Sequence, residues 1–331
     1  MSEKILEVNN LATSFKTERG LMKAVDGISF YANKNEILGI VGESGCGKSV
    51  TFQSIMRLYD EKFLAKIEGE VLFEGKNLLT CTEREMERIR GKAVSMVFQD
   101  ALSSLNPVMK VGDQIMEGIL LHNKNMKKEE ARNRALEILK LVGIPAYKER
   151  FYQYPHQLSG GMRQRIMIAT ALVCRPKILI ADEPTTALDV TIQAQIMNLI
   201  VNLKEQMDMS VILITHDLAV VSETCDRVLV MYLGQIVEEA PVRSLFQNPG
   251  HPYTRGMMAS IPAMHSDKEK QLYVIKGTVP LLSQIPKGCR FAPRCEEADE
   301  LCRKQMPPFI NLENGHKVRC FRPHGGLHER E

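Results

Sequence analysis

The run Gly42–Ser49, GESGCGKS, limits what this chain can fold into more than any other segment. It has the form G-x-x-x-x-G-K-S. The apolar stretch Glu36–Val41 (EILGIV) before it reads as a buried strand, and a helix is predicted from about Lys48. Glycines let backbone amides turn inward around phosphate oxygens without Cβ clashes, and the helix N-terminus adds partial positive charge. Gly42, Ser44, Gly45, Cys46, Gly47, Lys48, Ser49 and Val50 are therefore candidate nucleotide contacts. Lys48 is expected to reach the β- and γ-phosphates, and the Ser49 hydroxyl to hold Mg²⁺. Cys46 reads as small filler, although a thiol near a helix N-terminus is also a candidate for unusual acidity.

A second strand carries carboxylates. Ile178–Pro184 reads ILIADEP, an apolar run with Asp-Glu at its end. Asp182 is placed to order Mg²⁺ and Glu183 to act as general base on an attacking water. Further strands are expected at Ser210–Thr215 (SVILIT) and in a hairpin over 227–239 turning at Gly234. ILEV and GISFYA near the start read as antiparallel strands. Ala131, Ala135, Ile138, Leu139 and Val142 share a helical face that stops at Gly143. Ile192, Ile196, Leu199, Ile200, Leu203 and Met207 share another. Strands alternating with amphipathic helices make residues 1–245 an α/β domain.

Net charge is +3, a balance that offers no argument for nucleic-acid binding. No stretch approaches the roughly 20 apolar residues that cross a bilayer, and the start MSEKILEVNN lacks the regions of a signal peptide. The expected location is cytosolic, with any membrane role coming through partners.

Other motifs discriminate among phosphate-loop proteins. Leu158–Met162 reads LSGGM, upstream of ILIADEP; Ala187-Leu188-Asp189 follows that strand; His216 stands in ITHD; Gln99 stands in VFQD. In order and spacing this set resembles the ABC ATPase cassette over about residues 5–245. The resemblance implies a phosphate-loop NTPase core, an antiparallel β subdomain and a helical insert of about 100–165. It implies that Gln99 contacts Mg²⁺ and the water and senses a transmembrane partner, and that His216 contacts the γ-phosphate. Ser159, Gly160 and Gly161 would bind the γ-phosphate held by a second subunit, and Asp189 would lie at the dimer seam. Phe15 falls where the family stacks an aromatic ring on adenine, with Ala24 nearby. Met162 departs from the usual glutamine of the signature and leaves the phosphate-facing groups intact.

LSGGMRQR, NPGHPYTRGM (248–257) and the Cys-bearing tail together resemble the ATPases of dipeptide and oligopeptide importers. Importers of nickel and of oligosaccharides share that subfamily. The implied partners are a second ATPase chain, expected to be a paralogue in a heterodimer, two transmembrane permease subunits and, indirectly, an extracytoplasmic substrate-binding protein. DNA-repair relatives insert a long coiled coil between the phosphate loop and the signature, and residues 50–157 hold no sustained heptads. Translation relatives carry two cassettes in one chain, and one is present. A soluble ATPase outside transport remains the remote alternative.

The tail, 246–331, differs in composition: it holds nine of the 15 prolines and is expected to be rich in loops. It also holds Cys289, Cys295, Cys302 and Cys320, half of the eight cysteines. In a reducing compartment such a cluster points to metal before disulfides. The spacing C-x5-C-x6-C-x17-C lacks the tight knuckles of common zinc sites and suits a [4Fe–4S] cluster, with zinc as the other occupant. Resemblance to iron–sulfur members of the importer subfamily points the same way. The expected tail is thus a small loop-rich domain stapled by metal. His316 and His324 are substitute ligands or surface loop histidines.

Overall fold

The structure, a computed structural model, describes residues 3–18, 20–60, 62, 64–100, 104–186, 188–260 and 273–324. In chain order it begins with β1 (Lys4–Thr17), β2 (Gly20–Asn33), β3 (Ile37–Val41), α1 (Lys48–Ile55), β4 (Leu64–Phe73) and β5 (Lys76–Asn77). There follow α2 (Glu83–Ile89), β6 (Val94–Val97), α3 (Val111–His122), α4 (Lys128–Leu141), α5 (Tyr147–Arg150) and α6 (Gly160–Leu172). Next come β7 (Ile178–Asp182), α7 (Val190–Met207), β8 (Ser210–Ile214), α8 (Leu218–Thr224), β9 (Arg227–Tyr232) and β10 (Gln235–Pro241). The chain closes with α9 (Val242–Gln247), α10 (Pro252–Ala259), α11 (Glu300–Lys304), β11 (Ile310–Asn311) and β12 (Lys317–Val318). Among the described residues no helix is long and apolar enough to cross a membrane.

The contacts divide the chain into two compact units. The first holds Asn33–Ile37 and Thr80–Ile214. In it β6, β7 and β8 run parallel, with Val94 opposite Ile178 and Ile178 opposite Ser210. Every residue of these strands is buried, and their near-continuous apolar runs are what a parallel sheet covered on both faces requires. Thr82 and Glu85 form a reciprocal capping box that starts α2. In α4 the buried Ala131, Ala135, Ile138 and Leu139 lie on one stripe, and Gly143, at φ 74°, follows its end. Asp189 caps α7 by accepting from the Ile192 amide at 2.9 Å.

The second unit holds Lys4–Ala32, Leu38–Leu79 and the chain from Thr215 onward, so the phosphate loop and the tail lie in the same unit. One sheet has the order β2-β1-β4-β5, with β1 antiparallel to β4. Strand β3 runs parallel to β9, and β9 pairs antiparallel with β10. The β9–β10 turn is Leu233-Gly234, with φ of 44° and 76°, the left-handed pair that a two-residue hairpin matched to strand twist demands. The hairpin stands where the sequence puts it.

The tail does more than loop. β12 adds to β10, with Glu238 opposite Val318, and β11 adds to β12. Fully buried Tyr232 and Tyr253 meet at 4.7 Å between ring centres, and Phe291 packs on them at 5.3 and 5.4 Å. Glu238 is wholly buried; its carboxylate accepts from the Gly250 and His251 amides and meets His316 Nε2 at 2.6 Å. His316 was expected at the surface or as a ligand. It is instead buried, because a carboxylate under a sheet needs a partner. His324 is exposed, as expected of a loop histidine.

Candidate functional site

The phosphate loop lies in the second unit. Gly42 and Gly47 have φ of 152° and 102°. A Cβ on Gly42 would stand 2.2 Å from the Met231 carbonyl oxygen, and one on Gly47 2.8 Å from that of Ala24. Both positions therefore exclude any side chain, for reasons of space as well as conformation. Gly47 starts α1 with no side-chain cap, which leaves the helix amides to a ligand. Ser44 and Gly45 form the exposed tip, and Ser49 and Val50 are half-buried. Lys48 is buried, and its ammonium donates to the carbonyls of Gly42 at 2.7 Å and Glu43 at 3.1 Å. Those two carbonyls hold the cation over the loop, where a triphosphate would take their place.

Cys46 is buried and lies 3.9 Å from the Lys48 nitrogen. Burial pushes its thiol up, outweighing the neighbouring ammonium. That direction runs against an acidic thiol, because desolvation penalises the thiolate. Ala24 is buried with its carbonyl against Gly47 and Gly234. The Phe15 ring is half-buried and meets Tyr59 edge-on at 4.8 Å. His216 is exposed between Thr215, whose amide donates to Ile40, and Asp217, which caps α8.

The carboxylates and the signature lie in the first unit. Asp182 ends β7, 3 % exposed. Glu183 adopts φ 46°, a left-handed conformation strained for a side-chain-bearing residue, and its amide donates to Ile214. That turn aims its carboxylate at two donors: the Gln99 amide at 2.9 Å and the Thr186 hydroxyl at 3.0 Å. Gln99 and Glu183 thus meet across 84 positions of sequence. Thr186 escaped the sequence reading, since a lone threonine after a strand carries no spacing signal. Ser159 is the N-cap of α6, accepting from the Met162 amide at 3.4 Å. Ser159, Gly160 and Asp189 are exposed. Gln164 donates to the Pro184 carbonyl at 2.5 Å, so the signature helix and the Glu183 turn are tied together. Ala187 lies outside the described residues.

In the tail, Cys289, Cys295, Cys302 and Cys320 line one small cavity with His251 and Phe291. Burial pushes all four thiols up, Cys320 to about 11, with the other three cysteines adding to its shift. The Cys289 amide donates to the Cys302 carbonyl at 2.7 Å, and the Arg322 amide to Cys320 Sγ at 3.4 Å. Among the described residues no group of three or more His, Cys, Asp or Glu side chains is gathered as a site for a metal ion.

Comparison with known proteins adds the following. Residues 25–186 match the family described as ABC transporter, and residues 237–302 match the oligopeptide/dipeptide transporter C-terminal region. The chain is similar to the oligopeptide transport ATP-binding protein AppD of Bacillus subtilis, 51 % identical over 317 residues, covering 96 % of each chain. It is 50 % identical over 319 residues to the dipeptide transport ATP-binding protein DppD of the same organism, covering 96 % of this chain and 95 % of that one. Among solved structures it is similar to a dimeric ATP-binding cassette in a post-hydrolysis state with ADP and Pi: TM-score 0.64, 29 % identity, 72 % of this chain and 99 % of that one.

Proposed function

The chain belongs to the ATP-binding subunits of ABC importers for oligopeptides and dipeptides, and from that membership we propose the role of each group described above. The activity is ATP hydrolysis coupled to peptide transport. Cassettes of this kind dimerise and work with transmembrane permeases. The observation that carries the cargo class is identity of about 50 % with peptide-importer subunits across about 96 % of the chain, tail included.

Each nucleotide is bound by the phosphate loop of one chain and the signature of another. The loop amides and Lys48 neutralise the triphosphate, Phe15 and Ala24 flank the adenine, and Ser49, Gln99 and Asp182 would hold Mg²⁺, which supplies charge neutralisation at the phosphates. Glu183 takes a proton from the attacking water as it closes on the γ-phosphorus, and His216 steadies the charge that builds on the phosphoryl oxygens. Ser159, Gly160 and Gly161 present a hydroxyl and helix N-terminal amides to the partner's nucleotide, and Asp189 lies at the seam. Support comes from the exposure of Ser159, Gly160 and Asp189, from the uncapped start of α1, and from the strained Glu183 turn.

The second cassette is a paralogue, and an extracytoplasmic binding protein delivers peptide to the permeases, with this chain peripheral at the cytoplasmic face. Residues 1–245 form the cassette and 246–331 an extension that carries a [4Fe–4S] cluster on Cys289, Cys295, Cys302 and Cys320. What supports this reading is that the four thiols line one small cavity. Bound there, the cluster supplies a covalent cross-link among the loops of the tail.

The experiment is uptake. In cells deleted for this subunit, the wild-type chain restores import of a labelled tripeptide and Lys48→Ala does not. Restoration of nickel accumulation with no effect on the peptide would move the cargo out of the peptide class.

A further inference from the structure

Glu43 follows the first glycine of the phosphate loop, and it places a carboxylate beside a site for a triphosphate. Each of its polar groups is engaged. The carbonyl accepts from the loop's own Lys48 at 3.1 Å. The amide donates to the Tyr253 hydroxyl at 2.8 Å. The carboxylate takes a two-pronged hydrogen bond from Arg294, at 2.6 and 3.0 Å. Tyr253 and Arg294 belong to the tail, 210 and 251 positions away. The guanidinium is itself held: its side chain is 5 % exposed, it stands 5.9 Å from the Tyr232 ring centre, and its Nε donates to the Lys276 carbonyl at 3.2 Å. A fork–carboxylate pair of this kind fixes orientation as well as charge.

We propose that Arg294 is a positioning residue for ATP: with Tyr253 it pins Glu43, so that the phosphate loop is held open in its binding shape and the Glu43 anion is masked from the incoming phosphates. Nucleotide affinity in this chain then depends on the C-terminal extension, through the loop that also bears Cys289 and Cys295. Two effects act together. An unmasked carboxylate repels the triphosphate through a partly desolvated loop. An unpinned loop must be ordered at the moment of binding. Arg294 acts through Glu43, and so on binding rather than on the chemical step. The proposal rests on ATP occupying Gly42–Ser49, and not on what the four cysteines hold.

The test measures ATP binding by the full chain and steady-state hydrolysis by the assembled transporter. Arg294→Ala raises Kd and KM for ATP about tenfold while kcat stays within about twofold, the mark of lost binding common to ground and transition states. Arg294→Lys, which keeps the charge and loses the fork, gives a smaller rise of about threefold. The double variant Glu43→Gln with Arg294→Ala recovers most of the affinity, because the anion that needed masking is gone. Lys48→Ala serves as the control for the phosphate loop itself. If Lys48→Ala weakens binding and Arg294→Ala does not, the positioning role is wrong. If the double variant binds as weakly as Arg294→Ala alone, or if kcat falls with KM unchanged, Arg294 merely supports the fold or acts elsewhere. Should Arg294→Ala fail to fold, the Lys variant and the double variant still decide, the first by a rise in KM and the second by its recovery. ATP binding unaltered by Lys48→Ala would instead sink the phosphate-loop reading.

Discussion

Glu183 sits in a backbone conformation that side-chain-bearing residues seldom adopt, and its carboxylate meets Gln99 and Thr186. Strain retained at a turn after a catalytic strand is commonly tied to function, because only the aim of the side chain repays it. Glu183→Gln keeps shape and hydrogen-bonding capacity and removes the base. Turnover is expected to fall about 10²–10⁴-fold with ATP binding retained, and the dimer to accumulate with ATP bound. A variant with near-normal phosphate release would show that another group activates the water. Ser159 gives the matching test of the composite site. It is exposed and caps α6, so Ser159→Arg loses a cap worth about 1 kcal/mol. The variant is expected to abolish turnover while the monomer's ATP affinity changes less than about threefold. Loss of monomer binding as severe as in Lys48→Ala would contradict a signature that serves the partner's nucleotide.

Helix α10 shows how an element sets a pH dependence. Its N-cap is His251, whose Nδ1 accepts from the Tyr253 amide at 3.0 Å. Only a neutral imidazole has a nitrogen free to accept, and burial holds the His251 pKa down at about 4. A basic group depressed in the fold binds its proton first in the unfolded chain. Stability from this site is therefore full above about pH 6.5, declines as pH falls, and levels off below about 4, a loss of about 3 kcal/mol at most. His251→Asn keeps a capping oxygen that does not titrate. Between pH 6.5 and 4 the wild-type melting temperature is expected to fall more steeply than that of the variant. Parallel curves would mean that His251 does not stay neutral. The same element carries Tyr253 to Glu43, so its cap bears on the phosphate loop.

Across the whole chain, the four cysteines of the tail are expected to hold a cluster. The Tyr232–Tyr253–Phe291 cluster and Glu238 with His316 anchor the tail by packing and hydrogen bonding. An iron–sulfur cluster would add a cross-link to the loops that these contacts hold. Anaerobically purified protein is expected to be brown, with absorbance near ~400 nm and about four irons and four sulfides per chain. A colourless preparation with one zinc would replace the cluster by an ion, and a metal-free one would leave four half-buried, unligated thiols.

Neighbours in the chain settle the local machinery: the strand, glycine loop and helix start from 36 to about 48, the acidic end of β7, the helix N-terminus at the signature, and the hairpin turning at Gly234. These are legible because each is set by neighbours a few positions away, through glycine conformation, capping chemistry and apolar runs. Who partners whom depends on how distant segments pack. Glu43 reads as an unremarkable loop residue until Arg294 is brought to it from 251 positions on. Glu238 and His316 look like two ordinary polar residues until β12 joins β10 and buries them together. The left-handed turn at Glu183 carries no local signal either, and is imposed where its amide meets Ile214 at the end of β8. Charge pairs, sheet register and strained turns depend on where distant segments pack, and that information is spread over the whole core rather than written in any window of the chain.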